Sequence, residues 1–280
     1  MTLQLSLPTP PSTELLAART PQRVRHDIQL RRTTVQSVHR LTPHMLRITV
    51  QGSDLAGFAS QGFDDHVKLL FPDASGQLQV PPMESDGLPP ALRASMRDYT
   101  PHSYDADAQQ LSIDFAVHEA GPATAWALQA APGQQLGIAG PRGSFIIPAA
   151  FDGHLLIGDD TALPAIARRL QELPAGTRVV AVVEVDSAAD EQALPSAALG
   201  QVYWVHRNGR PAGDADGLLQ ALSQLNAPAG DYYCWVALES AAAKTLRHAL
   251  ITQYAAHPKW TKAAAYWKRG SQGVHEVIEE

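Results

Sequence analysis

A chain of 280 residues is close to two domains at roughly 150 residues each, so it can bury a sizeable core and is too long for a mini-protein or a binding peptide. Lysine and arginine number 22 against 28 aspartate and glutamate, a formal charge of -6, so no global cationic field exists to hold nucleic acid or an anionic membrane. The single cysteine, Cys234, cannot close an intramolecular disulfide, no apolar run approaches the ~20 residues of a membrane span, and the start lacks the layout of an export signal; a soluble cytoplasmic monomer is expected.

Residues 1–24 mix Pro, Thr and Ser, with one short helical stretch at 13–19 and no period that buries a face, so they read as a flexible tail. Residues 29–50 turn β-branched and alternating around the turn-like LTPH at 41–44, which predicts a hairpin. Strands are expected at 66–71 and 111–118, the latter with Leu111, Ile113, Phe115 and Val117 on one face. Between them, residues 72–96 are rich in Pro, Gly, Ser and Asp and predict a long loop. Pro122 opens a helix over 122–131, which Pro132 and Gly133 stop. Beyond Pro148 the rhythm becomes strand then helix, with strands at 154–158, 178–185, 202–205 and 232–238 and helices at 161–173 and 240–254. Such alternation predicts a parallel sheet covered on both faces. The expected architecture is an antiparallel β-barrel domain over 25–150 followed by a parallel-sheet α/β domain over 151–280, two units that form a cleft for two ligands.

Three constellations carry chemistry. In RDYTPH, Arg97 can clamp a pyrophosphate, Tyr99 lies two places along the same strand face and offers a flat ring, and Thr100 has a hydroxyl for a ring nitrogen. That trio suits a flavin dinucleotide, and it is also compatible with a plain surface turn. About twenty residues on, His118 ends a strand that runs into Gly121, Pro122, Ala123 and Thr124 at a helix start, where unsatisfied N–H groups favour a diphosphate; an ordinary turn uses the same residues. Third, Gly158, Asp159, Asp160, Thr161 and Ala162 follow the first α/β strand, where small residues admit the phosphates of a second dinucleotide; helix capping by Asp160 or Thr161 is the alternative. No GxGxxG stands there, and HExxH, CxxC and GxSxG are absent, so neither a protein-built metal site nor a serine nucleophile is expected.

Taken in order, RDYT, DFAVHEAGPATAWA, GPRGSF, LLIGDDTALPAIARRL, ALE and AYWKRG resemble the siderophore-interacting protein family of FAD-dependent ferric-siderophore reductases, a branch of the ferredoxin reductase superfamily, over about residues 25–272. The resemblance implies an FAD-binding β-barrel followed by an NAD(P)H-binding α/β domain whose C-terminal segment returns to the flavin. It places Arg97, Tyr99 and Thr100 on the flavin, with Tyr99 against the isoalloxazine and Thr100 near its reactive nitrogen, and His118 with residues 121–124 on the rest of the FAD. Residues 158–162 would take NADPH or NADH, Arg207 a 2′-phosphate, and Glu239 matches the acidic residue of the family's AGE. Tyr266, Trp267 and Gly270 match the C-terminal YWRxG, which makes Trp267 a candidate beside Tyr99 and Thr100 for the catalytic centre. Two departures stand out: His102 replaces a second arginine of the flavin motif, which predicts weaker, pH-dependent phosphate binding, and Leu238 replaces the glycine of AGE where the nicotinamide approaches.

Residues 244–274 carry six lysines and arginines and no acid, in a chain that is net negative. With Lys262, Lys268 and Arg269 in a wall beside the flavin, that run would concentrate an anionic ferric siderophore; a solvated helix face is the other reading. The expected reaction is hydride transfer from NAD(P)H to FAD, then single electrons to siderophore-bound Fe(III). The alternatives are a flavin-bearing siderophore-binding protein reduced by a separate partner, or a flavin reductase with another acceptor.

Overall fold

The computed structural model describes residues 12–73, 75–79, 96–117, 121–148, 150–226, 228, 230–271 and 276–278. The chain begins with α1 (Thr13–Ala18), whose cap Ser12 accepts from the Leu15 amide, and β1 (Gln22–Arg25). Then come β2 (Leu30–Thr42), β3 (Met45–Gln51), β4 (Val67–Leu70), β5 (Arg97–Tyr99), β6 (Pro101–Asp105), β7 (Gln110–Ala116), α2 (Pro122–Leu128), β8 (Gln135–Ala139) and β9 (Gly143–Ile146). The predicted hairpin is β2 and β3, and α2 stops three residues before the expected end at Ala131. The part of the expected loop that spans residues 80–95 lies outside the described residues, as does residue 74.

Strands β2 to β8 form one antiparallel sheet in the order β5-β4-β8-β2-β3-β7-β6. Its two edges are β5 and β6, which are separated in the chain by Thr100 alone. A sheet whose opposite edges are joined by one residue has to curl on itself, and the seam of the curled sheet falls at Thr100. Period-2 alternation fills the interior. Leu46, Ile48 and Val50 of β3 stand opposite Phe115, Ile113 and Leu111 of β7, and all six are buried with Leu69, Leu136 and Ile138. Each such side chain contributes roughly 1.5–3 kcal/mol by leaving water.

The second half comprises β10 (Gly153–Asp159), α3 (Leu163–Glu172), β11 (Arg178–Val185), β12 (Leu199–His206), α4 (Asp216–Ser223), β13 (Tyr232–Glu239), α5 (Ser240–Gln253), β14 (Thr261–Trp267) and β15 (Glu276–Ile278). The sheet order is β12-β11-β10-β13-β14-β15, parallel except for β15, so the all-parallel expectation is corrected at that edge. α3 covers one face through Leu163, Ile166 and Leu170. α4, which no sequence signal had separated from its loop, and α5 cover the other with Leu218, Leu222, Leu246 and Leu250. The order reverses at β10, where β11 lies on one side and β13 on the other, and in such sheets ligands bind outside the carboxyl ends at that reversal.

The reading of residues 1–24 as a tail is corrected from Ser12 onward. β1 pairs with β9, and Arg19 is buried, donating to the Ala150 carbonyl at 2.9 Å and pairing with Asp231, with its guanidinium over the rings of Phe151 and Trp260. One arginine among apolar neighbours leaves no periodic signature, because its value comes from partners more than a hundred residues away.

Candidate functional site

The seam positions the first cluster. β5 pairs with β4 so that Tyr99 faces Val67 across the ladder, and the Tyr99 ring rests on Phe115 at 4.4 Å between centroids. Phe115 in turn touches Trp126 of α2 at 5.8 Å, so a stack of aromatic rings fixes Tyr99 and ties it to the helix start at Gly121. Burial pushes the Tyr99 hydroxyl above its ordinary pKa, which keeps it neutral. Arg97 is half-buried on the same strand period and donates to the Met96 carbonyl at 2.8 Å. At the start of α2, Gly121 is the cap residue, space is open around its Cα, and Pro122 occupies the first turn. The backbone there is open to close approach, with Ala123 buried and Thr124 half-buried behind it. His118 lies outside the described residues.

The second cluster forms at the carboxyl edge of the parallel sheet. Gly158 is obligatory: a Cβ there would lie 2.5 Å from the Ala162 Cβ and 2.8 Å from the Ala237 carbonyl. The two aspartates that follow are disarmed by neighbours. Asp159 accepts from the Thr161 amide at 3.0 Å, the Thr161 hydroxyl at 2.5 Å and the Trp267 indole at 2.7 Å. Asp160 pairs with Arg207 at 2.9 Å. Glu239 caps α5, accepting from the amides of Ala241 and Ala242 at 2.6 and 3.2 Å, and its other oxygen accepts from the Arg269 amide at 3.2 Å. Gly213, at φ +85°, passes so close that a Cβ would meet Glu239 and Trp267 within 3 Å. Asp159, Glu239 and Trp267 therefore converge at one spot on the edge, next to the sheet reversal.

The two clusters meet. Tyr266, the residue before Trp267, bonds through its hydroxyl to Thr100 at the barrel seam, and its ring stands edge-on to Trp235 at 5.9 Å. Trp235 donates its indole N–H to Asp64 at 3.0 Å, and Lys262 pairs with the same oxygen at 2.5 Å. Arg168 of α3 donates to the Ser60 carbonyl at 2.7 Å and to the Pro101 carbonyl at 3.2 Å. His44 pairs with Asp190 at 3.0 Å. Among the described residues His44, Asp186 and Asp190 are the one group with metal-ligand geometry, but the Asp190 oxygens already accept from the His44 amide and ring and from Ser187. Asp64, Trp235, Arg168 and Asp190 were not singled out from sequence; the acidic pair in FDDH beside a strand was the one visible signal.

Several expected roles are corrected. Arg207 is 6% exposed and spent on Asp160, on Glu184 at 3.5 Å and on Asp186 at 3.9 Å, so it neutralises the sheet edge from within and is not presented to a 2′-phosphate. His102 is buried 3.5 Å from Asp114, which already holds Arg47 through two bonds of 2.6 and 2.8 Å. Burial lowers the His102 pKa against the pull of Asp114, so the ring is neutral; it borders a cavity of about 380 Å³ between β6 and α3, with Phe58, Tyr104 and Arg168. Lys262 is engaged by Asp64 and lies over the Phe145 ring at 4.4 Å, which removes it from a free basic wall. Arg269 is exposed but donates to the Ala212 carbonyl at 2.7 Å, and Lys268 is exposed beside it. Leu238 is fully buried against α4 and α5 and adds no bulk to the nicotinamide approach.

The residues fit a flavin: a flat ring backed by aromatics, a buried hydroxyl at the seam and an open glycine cap lie along one stack of contacts. An antiparallel curled sheet that presents Arg-x-Tyr-Thr to the carboxyl edge of a 3-2-1-4-5 sheet is the layout of a flavin- and pyridine-nucleotide-linked reductase. Two family models match, the siderophore-interacting FAD-binding domain over residues 34–145 and the siderophore-interacting protein over residues 151–270. The chain is 38% identical over 255 residues to the NADPH-dependent ferric-chelate reductase of Escherichia coli (strain K12), covering 89% of this chain and 97% of that protein. It is 34% identical over 243 residues to the ferric vibriobactin reductase ViuB of Vibrio cholerae, covering 84% and 89%. The crystal structure of a siderophore utilization protein from T. fusca superposes with a TM-score of 0.83 at 40% identity, covering 91% of this chain and 98% of the other. The chain belongs to the siderophore-interacting protein family.

Proposed function

We propose that this chain is an NADPH-linked, FAD-dependent ferric-siderophore reductase, with residues 25–150 as the flavin unit and residues 151–280 as the nucleotide unit. The observation that carries the reading is the bond between Tyr266 and Thr100, which brings the flavin motif to the nucleotide edge of the parallel sheet. Bound FAD supplies the conversion the reaction needs, since the donor gives two electrons and Fe(III) accepts one. Tyr99 holds the ring plane, and Arg97 with the amides after Gly121 takes the diphosphate. The Thr100 hydroxyl orients the ring edge, with Tyr266 fixing that hydroxyl. Gly158 admits the nicotinamide dinucleotide, while Asp159 and Glu239 hold Trp267 and the start of α5 in place. Exposed Lys268 and Arg269 lie at the rim, where an anionic chelate arrives. Iron is bound as a whole complex through outer-sphere contacts, and hard oxygen ligands hold Fe(II) less tightly than Fe(III), so reduction releases it. The chain works as a monomer in a reducing cytoplasm; buried Cys234, its thiol pushed up to about 12 by burial, stays protonated there.

The test is an anaerobic visible spectrum of the protein reconstituted with FAD, followed through additions of NADPH, NADH and then a ferric siderophore. Bleaching by NADPH and recovery on adding the siderophore are expected. Flavin that binds but does not bleach with either nucleotide would point to a separate reducing partner. Recovery with ferricyanide or a quinone but no saturation by ferric siderophore would make the acceptor wrong.

A further inference from the structure

Between α3 and the sheet lies a polar cluster that neither the flavin nor the nucleotide reading uses. His154 of β10, Tyr233 of β13 and Arg169 of α3 are 0%, 2% and 7% exposed. Strand period puts His154 on the α3 side with Leu156, and register sets it beside Tyr233, their rings 6.2 Å apart and both against Phe151. Arg169 reaches the same layer from α3, its guanidinium 5.3 Å from the Phe63 ring. Five buried atoms of these side chains have no hydrogen-bond partner in the protein: both ring nitrogens of His154, the Tyr233 hydroxyl, and Nε and Nη2 of Arg169. Orphaned groups at this depth are costly unless something small and polar meets them, and native interiors rarely leave them unmet.

The donor set says what that occupant is. Three guanidinium N–H bonds on Nε and Nη2, a phenol O–H and one imidazole N–H are donors, against one bare imidazole nitrogen and the phenol oxygen as acceptors. Charge points the same way. The carboxylates that act on Arg169 are Asp64 and Glu172, but Asp64 is spent on Lys262 and the Trp235 indole, and Glu172 on Arg168 at 2.7 Å. Burial keeps the His154 ring neutral and the Tyr233 phenol protonated, so the Arg169 charge is unmatched inside the core. We propose that Arg169, His154 and Tyr233 form an internal binding site for one small monovalent anion of halide type, seated between α3 and the parallel sheet.

Its position gives it a structural task. Phe63 and Asp64 belong to the curled-sheet half, while Arg169, Tyr233 and Trp235 belong to the α/β half. An anion here would fix Arg169 against Phe63 and so stiffen the joint beneath the Tyr266–Thr100 contact.

The test uses the full chain with bromide as the probe. Crystals grown with bromide in place of chloride should show an anomalous peak within hydrogen-bond reach of the three side chains. In solution at constant ionic strength, exchanging gluconate for bromide should raise the melting temperature, on the order of 5 °C at saturation. Arg169→Gln should abolish that response, and Tyr233→Phe, which keeps the shape and removes one donor, should weaken the bromide midpoint roughly tenfold. Ordered waters with no anomalous signal would overturn the proposal. So would a melting temperature indifferent to the anion, or a peak in the crystal with no response in solution, which would mark binding at crystal concentration only.

Discussion

Asp159 and Asp160 stand side by side at the edge where phosphates would arrive, and their neighbours give them different tasks. Asp159 is a turn former that also grips Trp267, whereas Asp160 is neutralised by buried Arg207. Glu184 shares that cluster, and burial pushes it up to about 7 from 4.5, with Arg207 pulling the other way and Asp159 and Asp160 adding to the rise. An acid whose folded pKa is raised holds its proton more tightly when folded, so its contribution is complete below about 4.5 and is lost as pH rises past about 7. Denaturant midpoints across that window should therefore fall more in the parent than in Glu184→Gln; parallel profiles would show that Glu184 does not titrate there. Tyr99 carries a different load, a ring fixed by Phe115 and Trp126. Tyr99→Ala should weaken FAD binding at least about tenfold, measured by flavin fluorescence, because the platform is lost while the barrel core stays filled.

At the scale of elements, the strand-to-turn passage at Gly158 depends on a missing side chain. Gly158→Ala would drive a methyl into Ala162 and the Ala237 carbonyl, and a loss of about 2 kcal/mol by urea unfolding is expected, with nucleotide-driven bleaching impaired as the turn shifts. The N-terminal α1–β1 unit is held at two points, the ladder to β9 and the Arg19 pocket. The Asp partners of Arg19 are half exposed, so the ion pairs are screened and the stacking on Phe151 and Trp260 matters as much. Arg19→Ala should cost about 2 kcal/mol and expose this segment to limited proteolysis ahead of the rest of the chain. The hairpin β2–β3, the strands β4, β7 and β10 to β13, and the helices at 163–172 and 240–253 were legible because period-2 and helical periods write themselves into the chain, whereas β6, β8, β9 and β14 carried no signal that set them apart. The short α4, the antiparallel β15 and the ordered N-terminus were not legible either, since each owes its conformation to a surface supplied from elsewhere.

For the whole molecule, the joint between the two halves runs through Tyr266–Thr100, Arg168 to Ser60 and Pro101, Lys262–Asp64 and His44–Asp190. This separates two basic residues that look alike in the sequence. Lys262→Met would strand the buried Asp64 carboxylate and should cost on the order of 3 kcal/mol in stability, read by denaturant unfolding. Lys268→Ala should leave stability and flavin content unchanged while raising the apparent constant for an anionic ferric siderophore, measured by steady-state reduction; no change with any anionic acceptor would remove the rim from substrate capture.

The order of motifs, the change of period after Pro148 and the trio Arg97, Tyr99 and Thr100 on one short stretch are properties of neighbouring residues, and the sequence by itself determined them. Closure of the barrel at Thr100, the meeting of Tyr266 with that seam, and the choice between free and engaged cations were decided by tertiary structure alone. Arg207, His102 and Lys262 each read as a ligand because an unpaired cation or imidazole at a site edge invites an anion. Their partners Asp160, Asp114 and Asp64 stand 47, 12 and 198 residues away in the chain, and only folding brings groups that distant to within 4 Å. A charge costs so much to bury alone that its function is set by whichever opposite charge the fold delivers to it.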